Sequence, residues 1–490
     1  MLQGTGSDVG KSTLVAGLCR WALQQGISVA PFKPQNMSNN AAACADGGEI
    51  GRAQALQARA AGLNPTVHMN PVLLKPQADG ASQVIVQGQS IGETSARRYF
   101  SGERSNLIEP VLESFTTLIE QYDLVLVEGA GSPAETNLRQ HDIANMGFAA
   151  RVCAPVCLVA DIDRGGVIAA LVGTQQVLAP IDRALIKSFI INKFRGDPSL
   201  FTDGVESIKS ITGWACHGVV PWLPAARALP QEDAVVLEQL MSHQAESTGR
   251  IKIAVPMLSR IANFDDMDPL RMEPHVDLGF VPPGASIPLD VDMIILPGTK
   301  STLNDLRFMQ AQGWDHDCIA FARAGGKIFG ICGGYQLLGK EIHDPAGVDG
   351  AAGGVSGLGL LDVVTTMQGN KQVAPIEAVH VNSGIVISGY EIHMGTTTGP
   401  DCVRPFARFA SDRIEGSSNA TGRVQGTYLH GIFTDNKFRS AWLNQFFSSG
   451  SSNFDYDHHV EQCLDEVAAN LSEHLNIARL FDEAAKPLMQ

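Results

Sequence analysis

Four short apolar stretches in the first half of the chain lack the in–out alternation of a half-exposed strand. They are "ISVAPFKP", "YDLVLVEGAG", "APVCLVADID" and "LIKSFIINKF", rich in Val and Ile, and each carries Gly, Asp or Lys at its end. A strand that is apolar on both faces must be covered on both, which a mostly parallel sheet flanked by helices achieves. Helical patterns such as "KSTLVAGLCRWALQQG" lie between the runs and supply the cover. Ligands of such sheets gather beyond the carboxyl ends of the strands, where the polar residues of these runs cluster.

The pattern restarts at "IKIAVPML" and continues through "DMIILPGTK" and "GKIFGICGG", so the 490 residues divide into two α/β units. The expected divisions are 1–230, a polar linker at 231–250, a second unit at 251–445 and a helical C-terminal tail at 446–490. With no apolar run of about 18 residues, no membrane span is expected. The opening "MLQGTGSDVGKS" has neither the basic nor the apolar segment of a secretory leader. A net charge of −15 argues against a nucleic-acid partner, which selects a basic face. Nine cysteines occur without a C-x-x-C framework, and the closest pair, Cys153 and Cys157, reads as two core thiols. Reduced thiols fit a cytoplasmic protein.

"GTGSDVGKST", from Gly4 to Thr13, has the form of a phosphate-binding loop. In such a loop backbone N–H groups cradle phosphates, here from Gly4, Thr5, Gly6, Gly10 and Thr13 outward. Lys11 would meet the terminal phosphates and the Ser12 hydroxyl a Mg²⁺ ion. The strict pattern places glycine where this chain has Thr5. Only Met1, Leu2 and Gln3 precede the loop, so either the strand feeding it is unusually short or the natural start lies upstream. Glu128 ends "DLVLVEGAG", where a metal-directing carboxylate would sit, and Asp46 lies in the Gly-rich turn "CADGGEIGR".

In the second unit, Gly330-Ile331-Cys332-Gly333-Gly334 fits the strand-to-helix elbow that exposes a nucleophile on a tight turn. The following helix points its N-terminus at the sulfur and favours thiolate. The N–H of Gly333 is placed to stabilise an oxyanion, and a second donor is sought at Gly298 or Thr299 in "LPGTK". A lone cysteine is ordinarily a core residue. Here "RVQGTYLHGIF" also supplies a base, His430, at the end of a strand-like run, whereas His68, His141 and His393 read as loop or core residues.

Gly4–Ser12 together with "VEGAG" resembles dethiobiotin synthetase and its relatives, ATP-dependent enzymes that activate carboxylates. That resemblance implies Mg²⁺ held by Ser12, Asp46 and Glu128, with Asn192 at the adenine or capping its strand. Partitioning ATPases of the same superfamily carry a lysine five residues before Lys11, where this chain has Gly6. "LPGTK", "GICGGYQLLG" and "GTYLHGIF" resemble a class I glutamine amidotransferase domain. The resemblance implies Cys332 as nucleophile on the glutamine amide and His430 as proton shuttle. Most of that class place an acid two residues after the histidine, where this chain has Ile432. Its loss marks the cobyrinate-type branch, and Glu391 in "SGYEIHMG" is the candidate substitute.

The two halves in tandem, with "PFKPQNMSNN", "ADGGEIGRAQALQA", "MNPVLLKPQ", "DIDRGGV", "INKFRGD" and "GYEIHMG", resemble the cobyric acid synthase family over residues 1–445. The implied fold is a P-loop-type, mostly parallel sheet followed by a class I amidotransferase α/β domain. The implied partners are ATP, Mg²⁺, glutamine and adenosylcobyrinic acid a,c-diamide, whose b, d, e and g carboxylates become amides, in a monomer or a homo-oligomer. The same halves also make cobyrinate a,c-diamide synthases, against which "ADGGEIGRAQ" counts. A partitioning-type ATPase fused to an inactive glutaminase is opposed by Gly6. A polyanionic substrate requires local cations, and Lys33, Arg52, Lys75, Arg164, Lys193 and Arg195 are the expected rim.

Overall fold

The computed structural model of the chain describes residues 1–77, 80–100, 102, 106–230, 250–349, 352–369, 371–446 and 453–484. The expected linker at 231–250 falls outside these residues except for Arg250.

In the first half, the strands Leu2–Gly4, Val156–Asp161, Ile186–Phe194 and Ala215–Pro221 pair in parallel in that order. Val29–Phe32 and Leu124–Val127 pair in parallel with each other, and a bridge from Leu2 to Glu128 joins them to the same layer. The feeding strand is thus three residues long. Its short length is offset by burial, because Leu2, Gln3 and Gly4 are all inaccessible between neighbours. A second, smaller sheet interrupts the expected parallel pattern. Gln35–Met37, Val72–Pro76, Ala81–Val86 and Gln89–Ser95 form a mostly antiparallel sheet beside the hairpin Ala41–Ala43/Glu49–Gly51.

In the second half, Val276–Val281, Ile251–Pro256, Met293–Leu296, Lys327–Ile331 and Val424–Thr427 form a parallel sheet in that order, edged by Ser417–Ser418. The central strands are apolar on both faces, with Met293, Ile294, Ile295 and Leu296 all buried. An antiparallel sheet built on Gln372–His380 and Val386–His393 carries Leu429–His430 at its edge.

The C-terminal segment joins the first half. The helix Tyr456–His474 lies along Lys11–Gln24, the helix that follows the phosphate loop. Val460, Leu464, Val467 and Leu471 share a core with Leu14 and Leu18. The approach is close enough that a Cβ on Gly17 would lie 2.5 Å from Leu471 Cδ1. Arg20 and Arg59 add ion pairs to Glu461, Asp465 and Asp457.

The halves meet through buried polar contacts. Ala41 N donates to Asn263 Oδ1 at 3.0 Å and Asn263 N donates to Asn40 Oδ1 at 2.6 Å. Ala41, Leu73 and Ile85 of the first half pack on Tyr390 and Ile392 of the second.

Candidate active sites

The phosphate-type loop closes on the helix Lys11–Gln24 through Gly10 in the left-handed region, φ 92°. A Cβ there would overlap the Asn192 amide, so only glycine fits. Lys11 Nζ lies over the loop, donating to Gly6 O at 3.0 Å and Gly131 O at 3.2 Å. Thr5 N donates to Val159 O and ties the loop to the sheet. Ser12 Oγ donates to Glu128 Oε1 at 2.8 Å, Gln57 Nε2 donates to Glu128 Oε2 at 2.6 Å, and Lys33 Nζ lies 2.9 Å from Oε1. Burial pushes the Glu128 carboxyl up, but Lys33, the Gln57 amide and Lys11 overcome it and hold the group below the usual carboxylate range.

These groups open on a cavity of about 1390 Å³ lined by Gly10, Lys11, Ser12, Thr13, Lys33, Glu128, Arg164, Asn192 and Lys193 from the first half and Arg271 and Phe280 from the second. Among the described residues no cluster of three or more His, Cys, Asp or Glu side chains could hold a metal by itself. The donor set nevertheless fits Mg²⁺, which takes one or two protein oxygens and completes its shell with substrate phosphates and water. Ser12 Oγ and Glu128 Oε1, 2.8 Å apart, are the oxygens that would hold it.

Several expected residues lie elsewhere or are engaged differently. Asp46 is exposed in the turn between Ala41–Ala43 and Glu49–Gly51 and does not line the cavity, because the hairpin carries it away from the strand ends. Asn192 spends its amide on Val9 O at 2.8 Å, so it braces the phosphate loop. Of the expected cationic rim, Lys33, Arg164 and Lys193 line the cavity. Arg195 instead pairs with Asp163 and stacks on Trp222, 4.1 Å from its ring centre. Arg52 and Lys75 face the other half. Arg52 pairs with Asp265 at 2.7 Å, and Lys75 is buried against Glu49.

In the second half, Cys332 follows the strand Lys327–Ile331 and precedes the helix Gly333–Leu338 with φ 51° and ψ −110°. That conformation costs a non-glycine residue about 1–3 kcal/mol and persists only under tight surroundings. The surroundings are tight. A Cβ on Gly334 would overlap Leu296 O, and one on Gly330 would lie 2.6 Å from Gly334 O. The turn after Met293–Leu296 presses Thr299 against Gly333, and Gly298 and Thr299 line a cavity of about 60 Å³ with Cys332 and His430. Gln336, on the same helix, is held by Thr302, Met394 O and Tyr428 and projects into this cavity; the sequence reading assigned it no part.

His430 is buried, stacked on Tyr390, and its Nδ1 is 2.6 Å from Asp266 Oδ2. The other Asp266 oxygen accepts Gly431 N at 2.7 Å. Burial alone would lower the imidazolium, but the Asp266 carboxylate, helped by Cys332, raises it to about 10. Nε2 is buried, with no partner among the described residues other than the nearby Cys332. His430 and Asp266 form the base–acid pair of a triad arrangement whose acid lies 164 residues before the histidine, and Cys332, whose thiol donates to Ile392 O at 3.4 Å, lines the same cavity as His430.

Glu391 is not the substitute acid. Tyr390 sits opposite His430 in the sheet and Glu391 opposite Leu429, so the pleat turns Glu391 to the other face. There it pairs with both terminal nitrogens of Arg413. The missed signal was "NFDDMDP", a cluster of acids just beyond the strand Ile251–Pro256, at the carboxyl edge where ligands of such sheets gather.

Residues 1–236 match the CobQ/CobB/MinD/ParA nucleotide binding domain, and residues 252–438 match the CobB/CobQ-like glutamine amidotransferase domain. A cobyric acid synthase of Hyphomonas neptunium is 59% identical over 487 residues, covering 99% of this chain and 97% of that protein. Those of Paracoccus denitrificans and Cereibacter sphaeroides are 57% and 55% identical, each covering 98% of both chains. Two domain types in the same order, and identity above one half along nearly every residue, place this chain in the cobyric acid synthase family.

Proposed function

We propose that the chain amidates the b, d, e and g carboxylates of adenosylcobyrinic acid a,c-diamide, using ATP to activate each carboxylate and ammonia from glutamine to displace phosphate. The chain is a glutamine-dependent, amide-forming ligase with a nucleotide-binding half, and the proposal concerns its route and its carboxylates. The observation that carries it is the pairing, in one polypeptide, of a buried Cys332–His430–Asp266 triad with the Lys11, Ser12 and Glu128 cluster.

In the second half, the proton of the cysteine–histidine pair rests on His430, whose proton affinity Asp266 raises, and the Cys332 sulfur attacks the glutamine amide carbon. The N–H groups of Gly333 and of the Gly298 turn stabilise the oxyanion, and His430 returns the proton to the departing ammonia. Water then hydrolyses the glutamyl thioester. In the first half, Lys11 and the loop amides hold the ATP phosphates, and Ser12 and Glu128 would hold a Mg²⁺ ion, which would offset the phosphate charge. The corrin carboxylate attacks the γ-phosphorus and ADP departs, leaving an acyl phosphate; ammonia then adds to the acyl carbon and phosphate leaves, since a carboxylate oxygen departs only once it has become phosphate. Lys33, Arg164 and Lys193 offset the negative charge of the substrate.

The test is to incubate the full chain with Mg-ATP, glutamine and adenosylcobyrinic acid a,c-diamide and to follow product mass. Four successive losses of about one mass unit, one per carboxyl-to-amide exchange, are expected. An unchanged corrinoid mass, with glutamine hydrolysed and ATP bound, would sink the assignment.

A further inference from the structure

The small cavity at Cys332 is lined by both halves of the chain. Asn39 and Lys75 come from the first half, and Lys300, Asp349 and Lys371 from the second. Its charges do not balance. Glu49 offers one oxygen to Lys75, at 2.5 Å, and the other to Lys371. Lys300 pairs with none of the described carboxylates, and burial followed by Lys371 holds its ammonium below the usual lysine range. Lys75 is lowered to about 7 by burial, against the pull of Glu49 and with the push of Lys371. Three lysines thus stand against two buried carboxylates, Glu49 and Asp349, with the exposed Glu93 farther out. A buried excess of cations is costly unless an anion completes it.

We propose that Lys75, Lys300 and Lys371 receive the α-carboxylate of glutamine, so that the glutamine site of the second half is completed by a lysine of the first. This rests on the glutaminase reading given above. With the amide carbon at Cys332 Sγ, the α-carboxylate carbon lies four C–C bonds away, about 5 Å, which keeps it within this cavity. Glutamine supplies the missing negative charge, and Asp349 is the carboxylate left for its α-ammonium. Amides without the carboxylate leave the three lysines uncompensated and bind poorly. Because Lys75 sits on the strand Val72–Pro76 of the first half, glutamine is read in full only when the two halves are docked.

The test compares hydrolysis of glutamine with that of 4-aminobutyramide, which is glutamine without its α-carboxylate, by the full chain and by Lys300→Met, Lys75→Met and Lys300→Arg. A charge-assisted contact implies that the wild-type preference for glutamine in kcat/KM falls about tenfold or more in each Met variant. The fall should come from KM, and Lys300→Arg should recover most of it. An unchanged preference overturns the proposal, as does an equal loss on both amides, which would make the lysines structural. Lys300 is ion-paired to none of the described carboxylates, so its variant decides the matter even if Lys75→Met does not fold. A wild-type chain that hydrolyses neither amide refutes the glutaminase reading itself, and the proposal falls with it.

Discussion

Replacing Asp266 by Asn changes one atom of the triad and reverses a proton. Asp266 accepts from both His430 Nδ1 and Gly431 N. In the variant, Oδ1 can still accept from Gly431, which leaves the Asn nitrogen to donate to Nδ1. The imidazole then carries its proton on Nε2 and cannot take one from Cys332. The electrostatic loss can be sized from the histidine. Its rise from the usual 6.5 to about 10, at about 1.4 kcal/mol per tenfold in proton affinity, is about 5 kcal/mol in favour of imidazolium. Losing most of that should slow glutamine hydrolysis about 10²–10³-fold, while amidation driven by free ammonia continues. The same linkage fixes a sign for stability. A histidine whose folded affinity for protons exceeds its unfolded one contributes fully below about pH 6.5, and the contribution is lost as pH rises through about 10. The wild type should therefore exceed Asp266→Asn in thermal stability most at pH 6 and least at pH 10. Glutaminase kcat/KM and melting curves at pH 6, 8 and 10 check both. Hydrolysis within tenfold of wild type at pH 7, or a stability gap that widens with pH, would refute the reasoning.

Cys332→Ala should abolish glutamine-driven amidation and leave ammonia-driven amidation; loss of both would show that the sulfur is structural or that the halves are obligately coupled. Lys11→Ala should remove product with either nitrogen source, because activation precedes attack, and product from ammonia alone would contradict that order. Arg52→Met leaves the buried Asp265 without its cation, a change that costs about 3–5 kcal/mol for a buried pair. Burial already pushes Asp265 up, against Arg52, so the stability deficit should be larger at pH 8 than at pH 5, where protonation relieves it. A deficit that is flat with pH would point to lost packing by the arginine stem.

The parallel strands, the glycine-rich loop and the cysteine elbow are legible because each is local. Apolar runs without alternation, a Gly-Lys-Ser and a Gly-x-Cys-x-Gly announce themselves within ten residues. Asp266 is not legible in that way. It is brought to His430 by the order of the parallel strands, and the sequence offers several acids of equal standing. Glu391, the candidate substitute offered by the sequence, stands beside Tyr390 in the strand next to His430, yet one step of the pleat puts it on the wrong face. Asp46 failed for a related reason. The Gly-rich stretch around it resembles a ligand loop, but here the glycines serve a hairpin, where Gly48 packs against Gly88. The C-terminal helix read as an appendage because an amphipathic stripe does not name the surface that covers it.

Arg52 and Lys75 carry the larger lesson, since both belong to the expected set of cations and neither lines the large cavity. Their segment has two ends. Lys33 and Gln57 hold Glu128 at the phosphate loop, while Asn40 and Arg52, within the same stretch, hold the Asn263–Asp266 turn that orients His430. One short piece of chain therefore touches both the carboxylate at the phosphate-type loop and the loop that carries Asp266. A shift of Glu128 toward a metal ion would release Lys33 and Gln57, and any resulting movement would reach Arg52 through the helix Arg52–Ala60, of which Gln57 is part. Glutamine hydrolysis by the wild-type chain should accordingly respond to Mg-ATP, and Arg52→Lys, which keeps the charge but not the fork, should weaken that response more than it weakens hydrolysis without nucleotide. An equal effect of the substitution with and without Mg-ATP would show that this segment only holds the halves together.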